Sequence, residues 1–185
     1  KSQINPHFLF NTLNNIYALT SIDTDKTQKS ISTLSNILRY VLYDSDHGKV
    51  TLKQELETIT NYIYLFSLKS SKKYPITIIN EVEDENFLIP PMLLIPFVEN
   101  AFKHSNIEKI EGTFINIKLK TEGKMLYFSV ENSIPKIEAN KADVGGIGID
   151  NVQKRLTILY PEKSELKITT NNNVFCAKLM IENEV

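Results

Sequence analysis

Apolar side chains recur along the first third of the chain at helical spacing. Ile4, Phe8, Leu13 (with Thr12), Ile16 and Leu19 predict a helix from about Ile4 to Ser21. Asp23-Thr24-Asp25 breaks it and offers a cap for the next. A second helix is predicted from about Thr27 to Tyr43, with Ile31, Leu34, Leu38, Val41 and Leu42 on one side. A third starts after Thr51, which caps it, and runs to about Ser70 on a stripe of Leu52, Leu56, Ile59, Ile63 and Phe66. The period then shortens. Beyond Lys72-Lys73-Tyr74-Pro75, Ile76 to Val82 alternates as a strand does, and Glu83-Asp84-Glu85-Asn86 is an acidic turn. Pro90-Pro91 opens a helix through about His104. Thr113 to Lys120 and Met125 to Val130 form a hairpin turning at Glu122-Gly123. Asn132 to Val144 has no period and reads as a loop. A helix follows from about Ile149 to Leu159. Leu166–Thr170 and Val174–Ile181 close the chain as a hairpin across Asn171-Asn172-Asn173. The expected fold class is α+β: a helical region over 1–72, then a sandwich over 73–185 with one helical layer and a mostly antiparallel sheet. A helical unit this small buries little alone, so dimerisation through its apolar face is expected.

Composition narrows the function classes. With 185 residues, 42% hydrophobic and 23% charged, the chain can bury a core. Its net charge of -1 argues against an electrostatically driven nucleic-acid binder, so no direct nucleic-acid contact is expected. The one cysteine, Cys176, lies in a strand-like segment and reads as a small buried hydrophobe. No apolar run is long enough to span a membrane. The chain opens at Lys1 in what reads as mid-helix. A fragment is therefore expected, which leaves open a membrane segment upstream.

Three stretches carry chemistry. In Gln3-Ile4-Asn5-Pro6-His7-Phe8-Leu9-Phe10-Asn11, Pro6 places His7 near a helix start, and Asn11 shares its face at i+4. An imidazole presented this way serves as nucleophile, base or ligand; a partly buried histidine in a bundle is the plainer alternative. In Glu99-Asn100-Ala101-Phe102-Lys103-His104, a helix puts Asn100 on one face with Lys103 and His104, and Glu99 beside Lys103. An amide oxygen suits Mg²⁺ bridged to phosphates, and the two basic side chains would donate to them; an exposed face with a Glu–Lys pair is the alternative. In Gly145-Gly146-Ile147-Gly148-Ile149-Asp150-Asn151, glycines ahead of a helix let backbone N–H groups approach phosphate. The stretch has neither the Gly-Lys-Ser/Thr ending of a P-loop nor the βαβ setting of a dinucleotide site.

In this order the stretches resemble the LytS-type sensor histidine kinases, whose ATP-binding domain belongs to the GHKL superfamily. The opening box, together with Leu34-Ser35-Asn36-Ile37-Leu38-Arg39-Tyr40, is similar to the phosphoacceptor region. Pro91 to Ser105 is similar to the N box, and Gly146-x-Gly148-Ile149-x-Asn151 with Arg155-Leu156 to the glycine box. The resemblance implies a homodimer that uses ATP and Mg²⁺, phosphorylates itself on His7 and passes the group to an aspartate of a response regulator, often LytTR-type. It implies Asn100 as the Mg²⁺ ligand and Lys103 and His104 as phosphate contacts. Gly146, Gly148, Asn151 and Arg155 would lie around the nucleotide, with Asn132 to Val144 as its lid. It also implies a full-length protein in the bacterial inner membrane with this part in the cytoplasm. Two positions depart from the pattern. Asn132 stands where the superfamily places an adenine-binding aspartate: its oxygen can accept the same hydrogen bond but brings no charge. Phe8 stands where many such kinases have an acid, so the group that deprotonates His7 is unassigned. Glu99 is a candidate, with a base confined to the nucleotide site as its alternative role. Asn11 is a candidate for holding a water in the reverse reaction, with a plain helix-surface amide as the alternative. A dimerisation and signalling module impaired in nucleotide binding is the alternative reading. An ATPase or chaperone of the superfamily is a third, against which the opening box argues.

Overall fold

The computed structural model describes residues 5–43, 48–135 and 147–183. The chain divides into two compact units, 1–73 with 86–95, and 74–85 with 96–185.

The first unit is built on three helices. α1 (Pro6–Leu19) starts where the sequence predicts: Pro6 sits in its first turn, and the Asn5 side chain caps it by accepting from the His7 N–H at 3.0 Å. α2 (Thr24–Leu42) begins three residues earlier than the period suggests, because Asp23 is its cap and accepts from the Lys26 N–H at 2.8 Å. α3 (Leu52–Phe66) opens with a capping box in which Thr51 and Gln54 satisfy each other's backbone N–H groups. Its last turn tightens into a 3-10 helix, Ser67–Lys69. Phe8 of α1 stacks on Tyr62 of α3 at 4.3 Å, so Tyr62 serves the packing of the two helices.

The buried stripes differ from the expected ones by a rotation. α1 buries Phe8, Thr12 and Ile16, and Leu13 stays 47% exposed. α2 buries Leu34, Ile37 and Tyr40, and leaves Ile31 and Leu42 outside. α3 buries Leu52, Glu55, Ile59, Tyr62 and Leu65, with Leu56, Ile63 and Phe66 at the margin. These helices are apolar on more than one side, and a period alone does not say which side faces the chain's own core.

The helix expected from Pro90-Pro91 starts later. β3 (Leu88–Ile89) pairs antiparallel with β1 (Val50–Thr51), residues 90–94 are not helical, and α4 runs Ile95–Ser105. The physical reason is local. A residue before proline is steered away from helical dihedrals, and Met92 takes a φ of 56°, which no α-helix accommodates. Segment 86–95, placed with the second region by sequence, packs with the helices.

The second unit holds a five-stranded sheet, ordered β2-β4-β5-β7-β6. The strands are β2 (Ile76–Glu81), β4 (Ile115–Glu122), β5 (Met125–Ser133), β6 (Ser164–Asn171) and β7 (Val174–Glu182). Only β2 and β4 run parallel; the other neighbours are antiparallel, as expected. One face is core: Ile115, Ile117 and Leu119 of β4, Leu126, Phe128 and Val130 of β5, and Phe175, Ala177, Leu179 and Ile181 of β7 are all buried. α4 contributes Phe97, which meets Phe128 edge-on at 5.6 Å, with Val98, Ala101 and Phe102. α5 (Ile147–Leu159) contributes Ile149, Val152 and Leu156. β5 extends through Ser133 because Asn132 and Ser133 pair with Phe175 and Val174, so the irregular stretch begins after them rather than at Asn132.

Candidate functional site

His7 stands exposed on the first turn of α1. The Asn11 side-chain nitrogen lies 3.1 Å from His7 Nδ1 and 3.4 Å from Nε2, so the i+4 pairing exists as a contact. A ring nitrogen that accepts from this amide is the unprotonated one, which leaves the proton on the other. Phe8, in the place of an acid, is buried against Tyr62 and has no role at the imidazole.

In the second unit, α4 carries Glu99, Asn100, Lys103 and His104. Phe97, Val98, Ala101 and Phe102 pin its other side into the core, which fixes the rotation of the helix. Asn100 is buried, Lys103 is exposed, and Glu99 and His104 are intermediate. The Glu99–Lys103 pair allowed by the spacing does not form. Among the described residues no cation pairs with Glu99, and burial pushes its carboxyl up to about 7. His104 moves below its usual value, first through burial and then through the Lys103 charge. His104 Nε2 is buried without a hydrogen-bond partner among the described residues.

Asn132 lies on the core face of β5 between Ile115 and Phe175, with 0% of its surface exposed. Its side-chain nitrogen donates to the Ser133 carbonyl at 3.0 Å, and its Oδ1 has no partner among the described residues. With the nitrogen engaged in that bond, the oxygen is the atom left to accept. Gly148 lies in the first turn of α5, where a Cβ would come within 3.6 Å of Pro96 Cβ. Gly148 is thus seated against the start of α4. Asn151 is exposed and Arg155 half-buried on α5. Gly146, Gly145 and residues 136–144 of the expected lid lie outside the described residues. Among the described residues no group of three or more His, Cys, Asp or Glu side chains could hold a metal ion. One functional candidate, Glu55, escaped the sequence reading. Its signal is a carboxylate three residues after Leu52 and four before Ile59, inside an apolar stripe.

The Glu99 and His104 shifts predict a pH dependence of stability. Glu99 keeps its proton to a higher pH folded than unfolded, so its contribution is full below about 4.5 and is lost as pH rises through about 7. His104, lowered, works the other way: its contribution is present above about 6.5 and is lost as pH falls. Glu99→Gln is expected to flatten the decline between about pH 5 and 8 and to gain on the order of 1–3 kcal/mol over the wild type at the upper end. Chemical unfolding of both proteins at the two pH values measures this; parallel profiles would return the carboxyl to its ordinary range.

A family model described as "Histidine kinase" matches residues 1–74. This first region belongs to the histidine kinase family. The sensor histidine kinase YpdA of Escherichia coli is 33% identical over 172 residues, 88% of this chain and 30% of that protein. The sensor protein LytS of Staphylococcus epidermidis is 28% identical over 94% of the chain and 31% of its own length, and LytS of Streptococcus agalactiae 31% over 94% and 32%. The resemblance to LytS-type sensor histidine kinases therefore holds across both units. The chain spans about a third of the length of the curated relatives it matches. Among solved structures, the histidine kinase domain of the Erythrobacter litoralis EL346 blue-light activated histidine kinase covers 96% of the chain at 15% identity, with 95% of that domain covered and a TM-score of 0.51. The fold is that of histidine kinases. No helix among the described residues is long and apolar enough to cross a membrane.

Proposed function

We propose that the chain is the catalytic core of a sensor histidine kinase, in which the β–γ phosphoanhydride bond of ATP breaks as the γ-phosphoryl group bonds to a His7 ring nitrogen, ADP leaves, and the group then passes to a response-regulator aspartate. The observation that carries the reading is the unpartnered Asn132 Oδ1. A wholly buried acceptor without a donor is costly unless a ligand supplies one. An adenine amino group is such a donor. Because the Asn132 nitrogen is already bonded to the Ser133 carbonyl, the amide presents only an acceptor, as an aspartate would. His104 Nε2 is a second waiting group, and Lys103 brings an exposed cation to the same helix.

In this reading residues 1–72 are the dimerisation and phosphotransfer region and 73–185 the ATP-binding domain. The exposed Phe10, Leu13 and Tyr17 of α1 and Ile31 and Leu42 of α2 meet a second copy. Asn100 holds Mg²⁺, which when bound offsets phosphate charge. Gly146, Gly148, Asn151 and Arg155 border the nucleotide. Phosphoryl transfer asks of the protein mainly position and charge. Lys103 and His104 orient the phosphates, the imidazole of His7 is the nucleophile, and the Asn11 amide, which lies against the ring, withdraws from its lone pair before attack. Glu99, with a carboxyl near 7, takes a proton at neutral pH. The longer protein is a bacterial inner-membrane sensor with this part in the cytoplasm and a regulator partner of the LytTR type.

Incubation with γ-labelled ATP and Mg²⁺ tests the reading. Acid-labile, base-stable label on the chain is the expected result; no label together with no nucleotide binding overturns it. The amide at Asn132 favours a second reading, a nucleotide-impaired dimerisation and signalling module, which that pair of negatives would establish.

A further inference from the structure

Glu55 is a carboxylate with 0% of its surface exposed, on the core stripe of α3. Its Oε1 accepts from the Tyr40 hydroxyl of α2 and from the Met92 backbone N–H at 2.5 Å, and its Oε2 accepts from the Leu94 N–H at 3.0 Å. The Tyr40 oxygen also accepts from the Met92 N–H at 3.3 Å. Both oxygens are therefore spent on the irregular run 90–94, the segment at which the expected helix failed. Upstream the same segment is stitched by the β1–β3 ladder and by the Leu52 N–H to the Phe87 carbonyl at 2.8 Å. Strand pairing holds 88–89, and the carboxylate holds 92–94.

A buried carboxylate is an expensive way to hold a turn, and a well-packed apolar side chain does as much for stability. What the carboxylate adds is direction. Two N–H groups two residues apart, one at a residue with positive φ, can be met together by one carboxylate in one backbone conformation. That conformation ends at Leu94, and α4 begins at Ile95. Glu99 and Asn100 follow within about two helical turns. We propose that Glu55 is a positioning residue that makes the lead into α4 part of the helical unit, so that the state of α2 and α3 reaches the nucleotide-site helix through the chain itself. The inference rests on the kinase reading. It assigns Glu55 to the coupling of phosphoryl transfer with the helices, and not to nucleotide binding, since α4 keeps its own core contacts through Phe97, Val98, Ala101 and Phe102.

The test compares the wild type, Glu55→Gln and Tyr40→Phe in the full natural chain that contains these residues, well below their unfolding temperatures. The glutamine turns a donor toward one of the two N–H groups and releases it. Affinity for a fluorescent Mg²⁺-nucleotide is expected to stay within about threefold of the wild type, while label transfer to His7 at saturating nucleotide falls about tenfold or more, the scale on which remote misplacement acts. Tyr40→Phe removes the hydroxyl that donates to Glu55 Oε1 and accepts from the Met92 N–H, loosening the same clamp without a buried amide, and a fall of about threefold at unchanged affinity is expected; it decides the matter should the glutamine variant not fold. Transfer rates equal to the wild type in the folded variants, or nucleotide affinity lost in step with transfer, overturn the assignment to coupling. A wild type that neither binds nucleotide nor takes label instead overturns the kinase reading, and this inference with it.

Discussion

His7→Gln is expected to abolish phosphoryl uptake, by on the order of a thousandfold or more, while nucleotide binding stays within about twofold of the wild type. The argument is one of chemistry and of place. Imidazole offers a nitrogen lone pair that the amide of glutamine, delocalised into its carbonyl, does not. Glutamine is otherwise close in size and polarity, and His7 is exposed, so the replacement leaves no cavity and strands no buried group. The helix start survives as well, since Asn5 caps α1 through the backbone N–H of residue 7 and not through its ring. Under the kinase reading nucleotide binding falls to α4, α5 and β5, whereas His7 lies on α1. Acid-labile, base-stable label followed over time on both proteins measures the effect. Label persisting on the variant would move the phosphoacceptor elsewhere.

Much of this arrangement was legible in the sequence, and the failures have particular causes. Pro6 and Thr51 announced their helices because capping is local chemistry between residues a few positions apart. The hairpins were legible for the same reason: a strand with one buried face alternates, and β4, β5 and β7 do. The rotation of the helical stripes was not. Leu13 and Ile31 are as apolar as Phe8 and Leu34, and hydropathy does not distinguish a side that meets this chain from one left outside it. Residues 90–94 failed differently. Met92, Leu93 and Leu94 have good helix propensity, but tertiary bonds from Glu55, nearly forty positions upstream, outweigh it. Glu55 itself escaped for a related reason: two of its partners are backbone N–H groups, which leave no mark in the sequence, and the third, the Tyr40 hydroxyl, is fifteen positions away on another helix.

The candidate nucleotide site shows its residue types in the sequence but not their environment. Spacing alone put Glu99 beside Lys103, and the fold leaves the two unpaired because burial of Glu99 and exposure of Lys103 set them in different surroundings. At Asn132 the sequence showed a missing charge. The structure adds that the amide nitrogen is already spent on Ser133, which preserves the acceptor that the charge would have provided.

Asn100→Ala is expected to weaken Mg²⁺-nucleotide binding about a hundredfold and to lower label uptake by at least as much, the scale of losing a metal's charge stabilisation. Asn100 is buried in the middle of α4, where alanine is the better helix former, and the flanking Phe97, Val98, Ala101 and Phe102 hold the helix without it. Stability should therefore change by no more than about 1 kcal/mol. A loss of affinity at preserved stability separates a ligand from a packing residue. Asn100→Asp sharpens the distinction. It keeps a hard oxygen for Mg²⁺ and adds a negative charge near the phosphates, so it should lie between alanine and the wild type with metal present. Without metal the added charge only repels, and the aspartate should bind nucleotide no better than the alanine. Titration of a fluorescent nucleotide into the three proteins, with Mg²⁺ and with chelator, measures both. An alanine variant that binds within about threefold of the wild type would take the metal away from Asn100, and Asn132 Oδ1 and His104 Nε2, both without a partner among the described residues, would then have to hold the nucleotide without it.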